Sequence, residues 1–277
     1  MSGKRPEHLG PPELFYNETE ARKYSNNSHM ISIQSQMTER ALELLALPDD
    51  QPCFILDIGC GSGIGGEVLT EQGHYWVGLD ISEAMLDVAL DREVDGDLIL
   101  QDIGLGVPFR AGTFDGAVSI SALQWLCNAD TKEQNPKRRL YQFFSTLYGA
   151  MTRTSRAVFQ FYPENSAQIE LITSQATRAG FTGGLVVDFP NSTKAKKIFL
   201  VLFTGGSQPL PKAIDEQTVR QQVSVTQRRY EQVREQRGKP MKKSKQWIMN
   251  KKNRARQMGK EVRPDSKYTA RKRKTKF

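Results

Sequence analysis

Asp57, Gly59, Gly61 and Gly63 fall within one short stretch, Ile55-Leu56-Asp57-Ile58-Gly59-Cys60-Gly61-Ser62-Gly63. Glycines at alternate positions let a chain turn sharply and let a ligand lie against the backbone. A carboxylate two residues before the first glycine suits a cationic ligand group better than a pyrophosphate. Asp80 comes 21 residues after Gly59, at the end of Val77-Gly78-Leu79-Asp80. An acid at that distance can bind both hydroxyls of a ribose. Dinucleotide sites share this acid, and Gly61, Gly63 and Gly66 satisfy G-x-G-x-x-G. Taken alone, the pattern therefore supports a nucleoside without choosing which. His8, His29 and His74 are scattered and sit in no motif, so no His-carboxylate catalytic pair is expected.

These residues need a scaffold, and the apolar pattern supplies one. The runs Cys53–Ile58, Tyr75–Leu79, Leu98–Gln101, Gly116–Ile120 and Ala157–Tyr162 predict strands. Between them, Ile64–Gln72, Ser82–Asp91, Lys137–Met151 and Ser166–Ala179 predict helices, with Ser82 a plausible N-cap. Strands alternating with helices imply a parallel sheet covered on both faces. The last runs, Leu185–Phe189 and Ile198–Phe203, suggest a hairpin at its edge. Ahead of the sheet, Pro12–Leu47 reads as helical and residues 1–12 as loose. In such a sheet, ligands bind at the carboxyl ends of the strands, near the switch in strand order. The glycine-rich turn after the first strand is where that switch usually falls.

Charge divides the chain. Its formal net charge is +8, but residues 207–277 hold 22 Lys and Arg against 6 Asp and Glu, a net of +16, and the rest is net −8. An acidic body with a basic tail points to an anionic partner, nucleic acid above all. Residues 207–237 read as a linker followed by a solvated helix. Residues 238–277 carry 16 basic and 2 acidic residues and are expected to be largely disordered until bound. Cys53, Cys60 and Cys127 have no C-x-x-C spacing, so neither a disulfide scaffold nor a zinc site is expected. The N-terminal stretch lacks the apolar segment of a secretory signal, and no apolar run is long enough to cross a bilayer.

The order D-x-G-x-G-x-G, then Gly78-x-Asp80, then Asp102-Ile103, then Phe114-Asp115-Gly116-Ala117-Val118-Ser119 resembles the successive motifs of class I S-adenosylmethionine-dependent methyltransferases. The resemblance spans 54–203 and implies a Rossmann-like, seven-stranded, mostly parallel sheet with strand order 3-2-1-4-5-7-6. Asp57 would attract the α-amino group of S-adenosylmethionine, and Gly59, Gly61 and Gly63 would line it. Asp80 would hold the ribose, with Ile81 on the adenine. Asp102 would accept from the adenine amino group, and Ile103 would close its other face. The milder alternatives are that Asp57 caps a turn and Asp102 merely ends a strand.

Beyond this core, the blocks PPELFYN, YSNNSHMI, SALQWL, QFYPEN and KKSKQWIMNKKNRARQMG resemble the eukaryotic small-subunit (18S) rRNA guanine-N7 methyltransferases, the Williams–Beuren-region family. Resemblance from Pro6 to the C-terminus implies N7 methylation of a guanosine, a role in pre-rRNA processing and 40S biogenesis, and a nuclear location. It also implies a heterodimer with a small zinc-binding activator protein. Gln124, Trp125, Tyr162 and Asn165 are candidate acceptor contacts, although Trp125 could be core and Tyr162 strand-end packing. Tyr16, Tyr24 and Asn27 are candidates for a lid. In the tail, Lys251, Lys252, Arg254, Arg271, Lys272, Arg273 and Lys274 suit phosphate contacts and nuclear import, and Trp247 and Tyr268 could stack on bases. In the implied strand order, Leu98, Ile99 and Leu100 lie at an unprotected sheet edge, which a partner strand could cover. Two other readings stay open: a small-molecule methyltransferase of the same fold, which would gain nothing from the tail, and an assembly factor that acts mainly by binding.

Overall fold

The computed structural model describes residues 5–48, 51–192, 195–206, 208–214, 244–257, 259, 262–266 and 269. Two compact units emerge, one of residues 1–70 and 74–220, the other of 71–73 and 221–277.

In the first unit, the N-terminal helical stretch is broken twice. It forms α1 (Pro12–Phe15), α2 (Glu18–Asn26) and α3 (Ser28–Leu45). Both breaks after α1 fall at asparagines in extended backbone. Asn17 Oδ1 accepts from the amides of Thr19 and Glu20, and Asn27 Oδ1 from those of His29 and Met30. A side chain that satisfies orphan helix amides starts a new helix there. The buried face of α3, with Met37, Ala41, Leu44 and Leu45, packs on the sheet.

The sheet holds β1 (Phe54–Ile58), β2 (Tyr75–Asp80), β3 (Asp97–Leu100), β4 (Phe114–Ile120), β5 (Met151–Phe161), β6 (Thr182–Asp188) and β7 (Lys197–Phe203) in the order 3-2-1-4-5-7-6. The first five run parallel, and β7 is antiparallel to both β5 and β6. Helices α4 (Ile64–Glu71), α5 (Glu83–Asp91), α6 (Pro136–Ala150) and α7 (Ser166–Arg178) connect them. Neighbouring residues of β1 enter different cores. Leu56 and Ile58 join Phe114, Phe143, Phe144 and Phe159, while Ile55 joins Leu69, Trp76, Val118 and Val158. This period of two with both faces apolar is what a sheet covered on both sides requires. Parallel β1 to β4 bring the ends of four strands to one edge, on both sides of the switch between β1 and β4.

Three boundaries differ from the sequence reading. Residues from Arg5 onward are tied down rather than loose: Arg5 donates to the carbonyls of Tyr162 and Pro163 at 2.9 and 3.2 Å, and His8 meets Glu164 at 3.3 Å. Part of the expected linker is held to the body as well. Ile214 and residue 189 exchange contacts around Asp188, with Ile214 N to Asp188 Oδ1 at 2.8 Å and Phe189 N to Ile214 O at 2.9 Å. Arg40 donates from Nε to Asp188 at 2.8 Å and from Nη2 to the Lys212 carbonyl at 2.9 Å. The helix expected after Ile214 lies in residues 215–243, outside the described residues, as do Tyr268 and 271–274. In the second unit, Lys245–Gln257 forms α8, with Ser244 Oγ accepting from the Trp247 amide. A serine cap and a run of Lys, Gln, Met, Arg and Ala favour a helix within the stretch that the sequence reading expects to be largely disordered until bound.

Candidate functional site

A cavity opens at the carboxyl ends of β1 to β4. Its wall includes Asp57, Gly59, Gly61, Asp80, Ile81, Asp102, Ile103 and Trp125. All three acids named from the sequence therefore reach one space, because three parallel strands end at the same level.

Asp57, the penultimate residue of β1, is buried, and its Oδ2 has no hydrogen-bond partner. Burial, with the like charge of Asp80 adding to it, pushes its carboxyl up to about 7. A buried carboxylate without partners is costly, so the site suits a ligand that brings a cationic donor. Asp80 sits at the end of β2. Its oxygens accept from the amides of Gly61 at 2.7 Å and Ser82 at 2.8 Å. Burial raises its carboxyl above the usual range, and those amides oppose the rise. Asp80 thus braces the glycine-rich turn while still lining the cavity. Asp102, after β3, accepts from the Gly104 amide at 2.8 Å and from Arg139 of α6 at 2.7 and 2.9 Å.

The glycines divide by task. Gly59 and Gly61 both have positive φ, 71° and 53°, and line the cavity. A Cβ at Gly59 would lie 2.3 Å from Ala122 Cβ, so the β1 and β4 loops could not meet with a larger residue there. Gly63 was expected at the cofactor too, but it is not part of the wall. A Cβ there would lie 2.6 Å from Val94 Cγ1, so its role is packing. Gly66, third in G-x-G-x-x-G, faces the ring of Trp76 at 2.1 Å by the same measure. The dinucleotide spacing is thus met by a packing contact.

Among the proposed acceptor and lid residues, the structure separates two groups. Trp125 lines the cavity and meets Phe15 and Tyr16 at ring distances of 6.1 and 6.0 Å, and Tyr16 meets Tyr24 at 6.0 Å. Burial, then the Asp80 and Glu7 charges, pushes Tyr16 up to about 12. Tyr24 is raised further, by burial first and then by Tyr16, Tyr162 and Asp80. Both phenols are therefore neutral hydrogen-bonding groups. Gln124, by contrast, is buried and donates to the Ser121 carbonyl at 2.8 Å. Asn165 caps α7 through the Gln168 amide, and Asn27 caps α3. Tyr162 is partly exposed, with Lys197 Nζ 3.1 Å from its hydroxyl, and is not part of the wall. Sequence reasoning missed Gln34 and Thr38 of α3, Ser121 with its φ of 59°, and Arg139. Ser121 opens the SALQWL block, but no local motif marks Gln34, Thr38 or Arg139.

At the sheet edge, β3 pairs with β2 and ends the strand order. Leu98 and Ile99 are half-buried and Leu100 is 55% exposed. In α8, Lys251 lies over the Trp247 ring, and Lys252 and Arg256 both pair with Asp265. No group of residues able to hold a metal ion occurs among the described residues.

Comparison with known proteins bears on the family and the fold. Residues 56–141 match a family described as a methyltransferase domain, and residues 202–275 match "Methyltransferase involved in Williams-Beuren syndrome". A mouse protein named 18S rRNA (guanine-N(7))-methyltransferase is 61% identical, over 99% of this chain and 98% of its own. A Saccharomyces cerevisiae protein named 18S rRNA (guanine(1575)-N(7))-methyltransferase is 50% identical over 99% of both chains. Among solved structures, a TehB-like SAM-dependent methyltransferase from Corynebacterium glutamicum superposes with a TM-score of 0.51. It covers 69% of this chain and 100% of its own at 19% identity, a likeness of fold.

Proposed function

Since the chain belongs to the 18S rRNA (guanine-N7)-methyltransferase family, we propose that it transfers a methyl group from S-adenosylmethionine to N7 of one guanosine in small-subunit rRNA. The observation that carries this reading is the cavity edged by Asp57, Asp80 and Asp102 at the ends of three successive strands. Asp57 takes the α-ammonium group, which supplies the donor that its buried oxygen lacks. Asp80 takes the ribose hydroxyls, and Asp102 takes the adenine amino group between Ile81 and Ile103. The backbone of Gly59 and Gly61 lies against the methionine part.

S-adenosylmethionine supplies a methyl group made electrophilic by sulfonium; the C–S bond breaks as the N7–C bond forms. Guanine N7 already has a free lone pair, so no proton has to be removed. The chain's contribution is then to orient the guanine and exclude water. Tyr16, Tyr24 and Trp125 form the aromatic wall for that purpose, and Tyr162 is a more distant candidate at the end of β5.

The remaining assignments follow the family. The basic tail, including Lys251, Lys252, Arg254 and Arg271 to Lys274, grips phosphates and carries the chain into the nucleus. A small zinc-binding activator protein pairs with the β3 edge at Leu98, Ile99 and Leu100. The half-exposed Leu100 supports that reading, because an apolar edge strand invites pairing. The chain then acts in pre-rRNA processing and 40S biogenesis.

The test is labelled methyl transfer to pre-ribosomal RNA, with mapping of the labelled base. Label on a single guanine N7 is expected. Label found on small metabolites alone would overturn the proposal.

A further inference from the structure

Arg139 ties two parts of the cavity that are far apart in sequence. From α6 its Nη2 donates to both oxygens of Asp102, at 2.7 and 2.9 Å. Its Nη1 donates to Gln134 Oε1 at 3.3 Å, and the same oxygen accepts the Asp130 amide at 2.9 Å. Asp130, Gln134, Arg139 and Asp102 all belong to the cavity wall. The guanidinium lies across the turn after β3: a Cβ at Gly104 would come within 2.2 Å of Arg139 Nε. Its side chain is 13% exposed, and that of Asp102 is 23%. One partly buried cation therefore joins the acid at the end of β3 to the largely exposed loop 128–135 that leads into α6.

The hydrogen-bond count gives this link a direction. Asp102 Oδ1 accepts from both Gly104 N and Arg139, whereas Oδ2 accepts from Arg139 alone among the bonds of this carboxylate. Oδ2 thus keeps the greater free acceptor capacity of a carboxylate that lines the cavity. Because the guanidinium is planar, Nη2 on the carboxylate and Nη1 on Gln134 are held in one fixed relation, so the Asp102 carboxylate and the loop are oriented together. Any ligand amino group that engages Oδ2 loads the Asp102–Arg139–Gln134 chain as a unit.

We propose that Arg139 is a positioning residue that orients Asp102 toward the cofactor's adenine and transmits adenine occupancy to loop 128–135. This rests on the reading of Asp102 as the adenine acceptor. Its consequence is that bound cofactor braces the loop on the acceptor side of the cavity, and a braced loop in turn strengthens cofactor binding, since such coupling is reciprocal.

The experiment uses the full chain with S-adenosylhomocysteine as probe, measuring its affinity by calorimetry and amide exchange in residues 128–135 with and without it. In the wild type, S-adenosylhomocysteine slows exchange in that loop. Arg139→Met weakens binding by about ten- to a hundredfold, the range of one lost hydrogen bond to a charged group, and abolishes the added protection. Arg139→Lys restores affinity in part, because it keeps the charge on Asp102, but not the loop protection, because an ammonium cannot span both partners. Gln134→Ala, a substitution in an exposed loop with little risk to folding, loses the loop protection with a smaller loss of affinity. If Asp102→Asn leaves affinity unchanged, the adenine reading of the site fails. If Asp102→Asn weakens binding while Arg139→Met and Gln134→Ala leave the loop protection intact, the coupling fails and the site reading stands.

Discussion

Asp57 and Asp80 share one buried end of the sheet, and the charge of Asp80 adds to burial in holding the Asp57 carboxyl near 7 rather than at the ordinary 3.8. The two acids pull in different directions. Asp80 is braced by the amides of Gly61 and Ser82, and Asp57 has one oxygen with no partner.

A pH dependence follows from this pair. The folded chain keeps a proton on Asp57 that the unfolded chain has released above 3.8. Stability therefore falls as pH rises from 3.8 toward 7 and levels off beyond it. The raised Asp80 carboxyl acts in the same sense. A cationic ligand group prefers ionised Asp57, so affinity for S-adenosylhomocysteine should rise over the same window, with a proton released on binding near pH 6. Calorimetry in buffers of different ionisation enthalpy measures that proton. Asp57→Asn should remove most of the proton release and weaken binding; an unchanged proton count would count against the assignment.

Gly61→Glu tests the cavity itself. Gly61 has a φ of 53°, and its Cβ direction is open apart from Met85 Cε at 3.9 Å. A carboxylate side chain there enters the cavity beside Asp80. Cofactor binding should become undetectable while the fold survives, as circular dichroism would show. Normal ribosome production with this variant would make binding, not methylation, the chain's main role.

Much of this site is legible in the sequence, for a physical reason. Asp57 and Asp80 each end a strand, and the parallel alternation brings strand ends to one level, so position along the chain predicts position in space. Arg139 was not legible, because α6 delivers it to Asp102 from 37 residues away and no local pattern encodes that meeting. Asn27 and Asn165 illustrate another limit. Helix caps and ligand-binding amides look alike until the backbone they satisfy is known.

Arg40→Met should cost about 3–5 kcal/mol, because it leaves Asp188, whose side chain is 2% exposed, without its ion-pair partner. Chemical denaturation would measure the loss. The same variant should raise proteolytic cleavage within 208–214, since Arg40 also holds the Lys212 carbonyl. A loss below 1 kcal/mol would mean that water replaces the guanidinium.

Removal of residues 238–277 should lower RNA affinity and flatten its dependence on salt, since each lost phosphate contact reduces counterion release. Binding of S-adenosylhomocysteine should stay at its full-length value. Filter binding across a salt series, set beside calorimetry, separates the two, and an unchanged salt slope would exclude the tail as the RNA grip.

Strand order has a consequence for how the chain is made. The outer neighbour of β5 is β7, which follows β6 in sequence and must slide between the two. During synthesis, the buried run Ala157–Phe161 therefore waits, its outer backbone groups unpaired, until Lys197–Phe203 has left the exit tunnel. Through that interval β6 has no native place to dock. A nascent chain halted near residue 190 would display an apolar strand with nothing to close it, the kind of species that chaperones capture and that otherwise aggregates. Completion of β7 is thus the step that closes the open side of β5 and gives β6 its neighbour.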